Sequence, residues 1–370
     1  MGTPVTVTFL RDDNHGGSPS QLQQVADQLA TFVAAATTSV DMAIYDFRLA
    51  DPGAVSTVVD ALAGAAQRGV AVRIGYDAGK PADGDAAAFA ALEADPAPPG
   101  TGDWLKEHFA GTPVELAAIA GHGRLMHSKY VLRDATAASP TTAVWTGSTN
   151  FTDDAWTRQE NNIVTISSPA MAASYREDFD ALWLAQSITG TGKGKGGNAT
   201  LSDQSGVTWD YSPGDGAAIN QALARRVSTA TSRITVAAMV LTSPAVLGAL
   251  VAAINRGIPV NGIYDSGQMD PIVEGWRTRP ADAQVLADWS VVSARLARKA
   301  SAPYTSAGLH DFMHLKVLLS DDLVTTGSYN FSASAERNAE NQITLNAART
   351  VAAYADYLAK VVAAYSEPGA

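Results

Sequence analysis

Residues 127–134 read HSKYVLRD, with a histidine two places before a lysine at the head of an apolar run. A stretch such as YVLR favours a strand. On a strand, residues i and i+2 face the same side, so His127 and Lys129 would project together. One offers an imidazole, the other a fixed positive charge, a pairing suited to chemistry on an anion. A single copy proves little, since an ordinary surface strand would explain it equally well.

The pattern recurs. Residues 314–321 read HLKVLLSD, so His314, Lys316 and Asp321 repeat the spacing of His127, Lys129 and Asp134. Each copy is followed by a matching block. VWTGSTNFTDDAWTRQENN carries Gly147, Ser148, Asn150 and Glu160; VTTGSYNFSASAERNAENQ carries Gly327, Ser328, Asn330 and Glu340. In both, Glu lies ten residues after Asn, and another Asn follows the Glu.

The elements that must position these residues are duplicated too. TSVDMAIYDFRL and TSRITVAAMVLT read as strands. ALAGAAQRGVAVRIGYDAG and ALVAAINRGIPVNGIYDSG each read as a helix end, an Arg-Gly stop, a strand and a turn, matching Asp77 with Asp265. VTVTFL and VTWDYS each precede an amphipathic helix. Each half then runs strand, helix, strand, helix, strand, a loop-rich insert, the His-Lys strand, a strand pair and a terminal helix. TGTGKGKGGNAT reads as a flexible connector. This gives an N-terminal half at 1–188, a Gly-rich linker at 189–203 and a C-terminal half at 204–370. The expected fold class is α/β: two homologous mixed-sheet α/β/α domains about a pseudo-twofold axis. A site using both histidines would sit on that axis.

Composition narrows the function classes. The chain has 370 residues, 46% of them hydrophobic, and no cysteine, which excludes disulfides, thiolate zinc sites and a cysteine nucleophile. No long apolar run suggests a membrane span. MGTPVTVTFL lacks a signal-peptide pattern, and MGTPVT meets the myristoylation pattern only formally. The compartment stays undetermined, with a mature secreted form slightly favoured over a cytoplasmic one. The net charge of −11 lies almost wholly in residues 1–188, where 11 basic residues face 22 acidic ones. An acidic surface disfavours non-specific nucleic-acid binding. Arg277, Arg279, Arg295, Arg298 and Lys299 form a local basic cluster, read as a solvated face ahead of a phosphate track.

The doubled HxKxxxxD signatures with GSTNF and GSYNF resemble the phospholipase D superfamily over nearly the whole chain. The spacing departs from the family's usual six residues between Asp and Gly-Ser. The first copy has twelve (ATAASPTTAVWT), the second five (DLVTT). Both changes fall in an expected hairpin, where length changes are cheap. The resemblance implies a phosphodiesterase working through a phosphohistidine. The residues themselves fit that chemistry. Lys129, Lys316, Asn150 and Asn330 would hold the non-bridging oxygens. One imidazole would attack phosphorus while the other protonates the leaving alcohol. The sequence alone does not break the symmetry between the two histidines. By resemblance, His127 is the nucleophile and His314 the general acid/base. Glu160 and Glu340 are expected to hydrogen-bond the distal nitrogens of the histidines, Ser148 and Ser328 to support the Asn and Glu geometry, and Asp134 and Asp321 to be structural.

No cofactor and no metal are expected. The metal-like spacing of His310 and His314 is outweighed by the claim already made on His314. Asp77 and Asp265 read as caps ahead of catalysis. Tyr45, Phe47, Met239 and Leu241 are candidates for a pocket wall or for core. His15, His108 and His122 read as surface or loop, with His122 alone near enough in sequence to line the site. The expected substrate is a phosphodiester, a phospholipid first. The protein would be a phospholipase D hydrolysing headgroups and transferring the phosphatidyl group. A nuclease of the same superfamily, with nucleic acid as partner, is the alternative. An inactive binding module is disfavoured by two intact His-Lys-Asn sets. The expected unit is a monomer with an internal pseudo-dimer.

Overall fold

A computed structural model describes residues 3–79, 100–136, 139–303, 305 and 308–366. The part of the first insert at 80–99 lies outside the described residues.

Each half builds one large mixed sheet. In the first, the spatial order is Val5–Leu10, Asn161–Ile166, Ala143–Gly147, Lys129–Arg133, Ser39–Ile44, Ala71–Asp77 and Glu115–Ile119. In the second it is Gly206–Ser212, Glu340–Leu345, Leu323–Gly327, Lys316–Ser320, Ile234–Ala238, Val260–Asp265 and Ala297–Lys299. Apart from one extra edge strand in the second sheet, Gly197–Thr200, the two orders are equivalent strand for strand. In both, the last three strands run parallel and the rest antiparallel. Strand Ser39–Ile44 is buried at every position, as expected for a strand with helices on both faces.

The helices form three layers with the sheets. Gln21–Ala34 and Pro52–Gln67 cover the outer face of the first sheet, burying Val25, Leu29, Val58 and Leu62 against Val40, Met42 and Ile74. Gly216–Thr229 and Pro244–Asn255 do the same for the second. Pro169–Ala185 and Ala348–Ala364 lie in one shared core, where Tyr175, Phe179, Tyr354 and Leu358 pack with apolar residues of both sheets. Burying these apolar faces makes the two halves one body. Local signals agree with the duplication. Asp51 and Ser243 cap helices that each begin with proline, accepting the N–H of Ala54 and Val246. The Arg-Gly stops end these helices, with Gly69 and Gly257 at φ +88° and +81°.

Two expectations change. Within the segment read as a flexible connector, Gly197–Thr200 forms an edge strand, pairing antiparallel with Gly206–Ser212. It lies at the edge of the sheet, so its backbone is paired on one side only. The second insert, read as loop-rich, holds helices Ser266–Arg277 and Ala283–Ser293, which bury Met269, Val273, Trp276 and Trp289. Gly and Pro in that stretch masked its apolar periodicity.

Candidate active site

His127 and His314 stand two residues ahead of equivalent strands, Lys129–Arg133 and Lys316–Ser320. The residue ahead of each is pinned by a carboxylate. Met126 donates its N–H to Asp77 at 2.7 Å, and Met313 donates to Asp265 at 2.8 Å. Asp265 also caps helix Ser266–Arg277, and Asp77 accepts the N–H of Gly79, so the cap reading holds and a positioning contact adds to it. That contact was legible only as the equivalence of two aspartates at matched strand ends. His127 further donates its backbone N–H to Ala339 O of the other half at 2.8 Å.

Both lysines curl back onto their own histidines. Lys129 Nζ donates to His127 O and Lys316 Nζ to His314 O, each at 2.7 Å. All four side chains are buried. Asn150 and Asn330 line the same cavity as the two histidines, and the Oδ1 of each makes no hydrogen bond. Gly147 and Gly327 are required at the turns before these asparagines. Their φ values are +151° and +141°, and an added Cβ would lie 2.1 Å from Asn162 O and 2.3 Å from Asn341 O.

The partner of Nδ1 is where the halves part. His127 Nδ1 lies 2.7 Å from Glu340 Oε2 across the halves. His314 Nδ1 lies 3.0 Å from Asn161 Oδ1. The expectation that Glu160 would meet His314 is therefore corrected. Strand register gives the reason. Leu10 pairs with Asn161 where Ser212 pairs with Glu340, and Gly147 pairs with Ile163 where Gly327 pairs with Gln342. Asn161, and not Glu160, is thus the counterpart of Glu340. Likewise Asn162 and Asn341 match. Each amide donates to a Thr and a Tyr of the shared core, Thr326 and Tyr354 in one case, Thr146 and Tyr175 in the other. Counting from Asn150 and Asn330, the loop of the first half is one residue longer.

Glu160 points elsewhere. It bonds Lys299 at 2.8 Å and the Tyr365 hydroxyl at 2.6 Å, and Lys299 also pairs with Asp12 at 2.8 Å. This buried cluster joins the first half, the second insert and the C-terminal helix. The rest of the basic cluster is a solvated face: Arg277 pairs with Glu274, Arg279 with Asp282 and Arg298 with Asp270, and Arg295 is exposed.

Ser148 Oγ donates to Asn161 Oδ1 at 2.7 Å and accepts the N–H of Asn162, while Ser328 Oγ accepts the N–H of Asn341. Asp134 ends its strand at φ +52° and accepts the backbone N–H groups of Thr37, Thr38 and Ser39. Asp321, at φ +51°, accepts those of Thr231, Ser232 and Arg233. Neither lines the cavity. Both carboxyls are held far below the usual range: burial opposes this, and the donors outweigh it.

Electrostatics follow from burial. Both imidazoles are pushed well below their ordinary value, first by burial and then by the two lysines. Burial also lowers Lys129 to about 7, against the pull of Glu340, Asp46 and Asp77. Lys316 is lowered well below its ordinary value by burial and by Lys129. Burial raises Glu340, with Lys129 opposing. An arriving anion would stabilise every one of these cationic forms, so the pocket favours negative charge.

The cavity has a volume of about 210 Å³. Beyond the histidines and asparagines it is walled by Tyr45, Leu125, Met239, Val240 and Phe312 on one hand, and by Asp46, Asp154, Gln159 and His310 on the other. Tyr45 and Met239 are wall, whereas Phe47 and Leu241 are core. The spacing of His310 to His314 suggests only a metal ligand. Instead His310 bonds Asp154 at 3.1 Å and Thr305 O at 2.8 Å. His15 stacks on Tyr365 and His108 on Trp104, and exposed His122 is not among the lining residues.

With this geometry in hand, comparison with known proteins places the chain. The family described as cardiolipin synthase, PLD-like domain, matches residues 29–183 and 223–362. No curated protein matches the sequence. Among solved structures, phosphatidylserine synthase of Haemophilus influenzae is similar in fold, with TM-score 0.65 at 11% identity, over 97% of this chain and 86% of that one. Polyphosphate kinase from Porphyromonas gingivalis has TM-score 0.57 at 13% identity, over 96% of this chain and half of its own length. Nuc of Salmonella typhimurium, a phospholipase D family member, is 23% identical over 41% of this chain and 91% of its own, with TM-score 0.32.

Proposed function

The chain belongs to the cardiolipin synthase, phospholipase D-like family, and from that premise we propose that it cleaves a phospholipid phosphodiester through a phosphohistidine on His127. The phosphatidyl group then passes to water or to another alcohol. The observation that carries this reading is the single cavity lined by both histidines and both asparagines, with a lysine hydrogen-bonded to the backbone of each histidine. Both histidines come from one chain, which supports a monomeric active unit built as an internal pseudo-dimer of halves 1–188 and 204–370.

In this mechanism the phosphate enters with its non-bridging oxygens toward Lys129, Lys316 and the amides of Asn150 and Asn330. His127 attacks phosphorus through Nε2, and Glu340 holds Nδ1–H and offsets the charge that develops on the ring. Protonated His314 gives its Nε2 proton to the leaving alkoxide. Water or an acceptor alcohol then loses a proton to His314 and displaces His127. Two in-line displacements retain configuration at phosphorus.

The substrate class is read from the walls. Tyr45, Leu125, Met239, Val240 and Phe312 offer apolar surface to the cavity, and among the described residues no arginine lines it. A polyanionic strand needs a track of phosphate contacts beyond the reacting one, and four of the five residues of the basic cluster, Arg277, Arg279, Arg298 and Lys299, are taken up in ion pairs. Among the described residues no helix is long and apolar enough to cross a membrane, so lipid would be met at an interface. The test is a paired assay of phosphatidylcholine vesicles and single-stranded DNA, with His127→Ala as control. Release of headgroup, and of a phosphatidyl-alcohol when a short alcohol is added, is expected. DNA cleavage without lipid turnover would overturn the lipid reading in favour of a nuclease.

A further inference from the structure

We propose that Asn161 is the positioning residue of His314, and that its amide, standing where the other half has a carboxylate, gives the two histidines different work. This rests on the reading of the cavity as a phosphodiester site.

The amide is saturated. Its Oδ1 accepts from Ser148 Oγ at 2.7 Å and lies 3.0 Å from His314 Nδ1. Its Nδ2 donates to Ala155 O at 3.0 Å and to Gln159 Oε1 at 3.2 Å. An amide has two acceptor sites on oxygen and two hydrogens on nitrogen, so nothing is left over. The backbone carbonyl of Ala155 can only accept, which fixes the nitrogen on that side and turns the oxygen to the ring. His314 must then carry its hydrogen on Nδ1, leaving Nε2 to exchange the catalytic proton.

Glu340 places a carboxylate oxygen at the same point for His127, and its other oxygen accepts from Asn338 Nδ2 at 3.1 Å. A carboxylate stabilises a positively charged ring far more than a neutral amide does. His127 is thus equipped to bear the charge of a phosphorylated imidazole. His314 is held in the same tautomer without that support, so it surrenders its proton readily to a poor leaving group and returns to neutral, ready to deprotonate the acceptor. The charged groups around His314 are Lys316 on its own strand, Lys129 and His127 from the facing half, Glu340 beyond His127, and the Asp154–His310 pair in the cavity wall. All stay in place when residue 161 alone is changed.

The experiment joins pH–rate profiles of Asn161→Asp and Asn161→Ala with ¹⁵N NMR of the histidines in the unaltered protein. The NMR should show His314 protonated at Nδ1 and bare at Nε2. Asn161→Asp should move the basic limb of kcat up by about one pH unit, a tenfold change in proton affinity, with the acidic limb in place. Asn161→Ala should lose about tenfold to a hundredfold in kcat on alkyl leaving groups, less on p-nitrophenolate, with KM little changed. A His314 ring protonated at Nε2, or an Asn161→Asp profile superimposing on the original, would overturn the inference. If Asn161→Asp fails to fold, the NMR tautomer decides alone. If no phosphodiester is cleaved at all, the proposed function fails, and the same spectrum still confirms or refutes the role of Asn161.

Discussion

The two halves build one site from the same parts, yet not the same site. Each supplies a histidine, a lysine two residues on, a Gly-Ser turn and an asparagine, on strands in the same spatial order. At Nδ1 the likeness stops: Glu340 serves His127, and Asn161 serves His314. One residue of extra loop makes the difference. It slides Glu160 out of the pocket into the cluster of Lys299, Asp12 and Tyr365, and brings an amide into its place. A duplicated active site can therefore acquire unequal histidines through loop length, with no substitution at either histidine.

The largest break in the comparison comes from the histidines themselves. His127→Ala and His314→Ala should each lower kcat on an alkyl phosphodiester by at least about 10⁴-fold. On a p-nitrophenyl diester, which needs no general acid, His314→Ala should still release one nitrophenolate per enzyme in a burst, and His127→Ala none. Equal behaviour of the two variants would erase the asymmetry.

Next comes the displaced glutamate. Lys299→Met leaves Glu160 and Asp12 buried without their cation, and should cost about 3–5 kcal/mol in urea unfolding. The counterpart of Glu160 in the second half is Ala339, a buried apolar residue of the shared core, so no equivalent ion pair is there to lose. A change below about 1 kcal/mol would mean the cluster does not hold the insert to the first half.

Glu340→Gln makes the halves alike. The carboxylate favours the charged ring of His127, so removing it lowers the proton affinity of that imidazole. The acidic limb of the rate profile should move to lower pH, with kcat down about a hundredfold. An unmoved acidic limb would detach Glu340 from the catalytic pair.

The smallest contrast is structural. Asp134 is fully buried and also takes the hydroxyls of Thr37, Thr38 and Thr141, whereas Asp321 is half-buried and takes those of Thr231 and Ser232. Asp134→Ala should cost about 2–3 kcal/mol and Asp321→Ala about 1 kcal/mol. Both carboxyls are depressed in the folded protein, so their stabilisation is complete above an unfolded value of about 3.9 and is lost as pH falls below it. The gap in urea midpoint between Asp134→Ala and the unaltered protein should therefore be smaller at pH 3 than at pH 5, without closing, because the folded carboxyl is still ionised at pH 3.

Much of this was legible in the chain. The doubled HxK and GSxN blocks gave the duplication, the fold class and the residues that meet in the cavity, because period-two strands and Gly-dependent turns leave strong local marks. The partner of His314 was not legible. Sequence spacing set Glu160 against Glu340, each ten residues after its asparagine, whereas strand register, set by pairing with the first strand of each half, aligned Asn161 instead. The helices of the second insert were hidden by Gly and Pro within Ser266–Arg277, where Pro271 stands inside the helix. The positioning of Met126 and Met313 by Asp77 and Asp265 joins segments 49 and 48 residues apart, and no local pattern encodes such a contact.

The central claim is that the phosphoryl group rides on His127. His314→Ala mixed with excess p-nitrophenyl phosphodiester, quenched in alkali after one burst and digested, should yield a single phosphohistidine. Tandem mass spectrometry should place it within the fragment containing HSKYVLRD. A phosphoryl group on another residue, or a full burst with no phosphorylated fragment, would contradict the account.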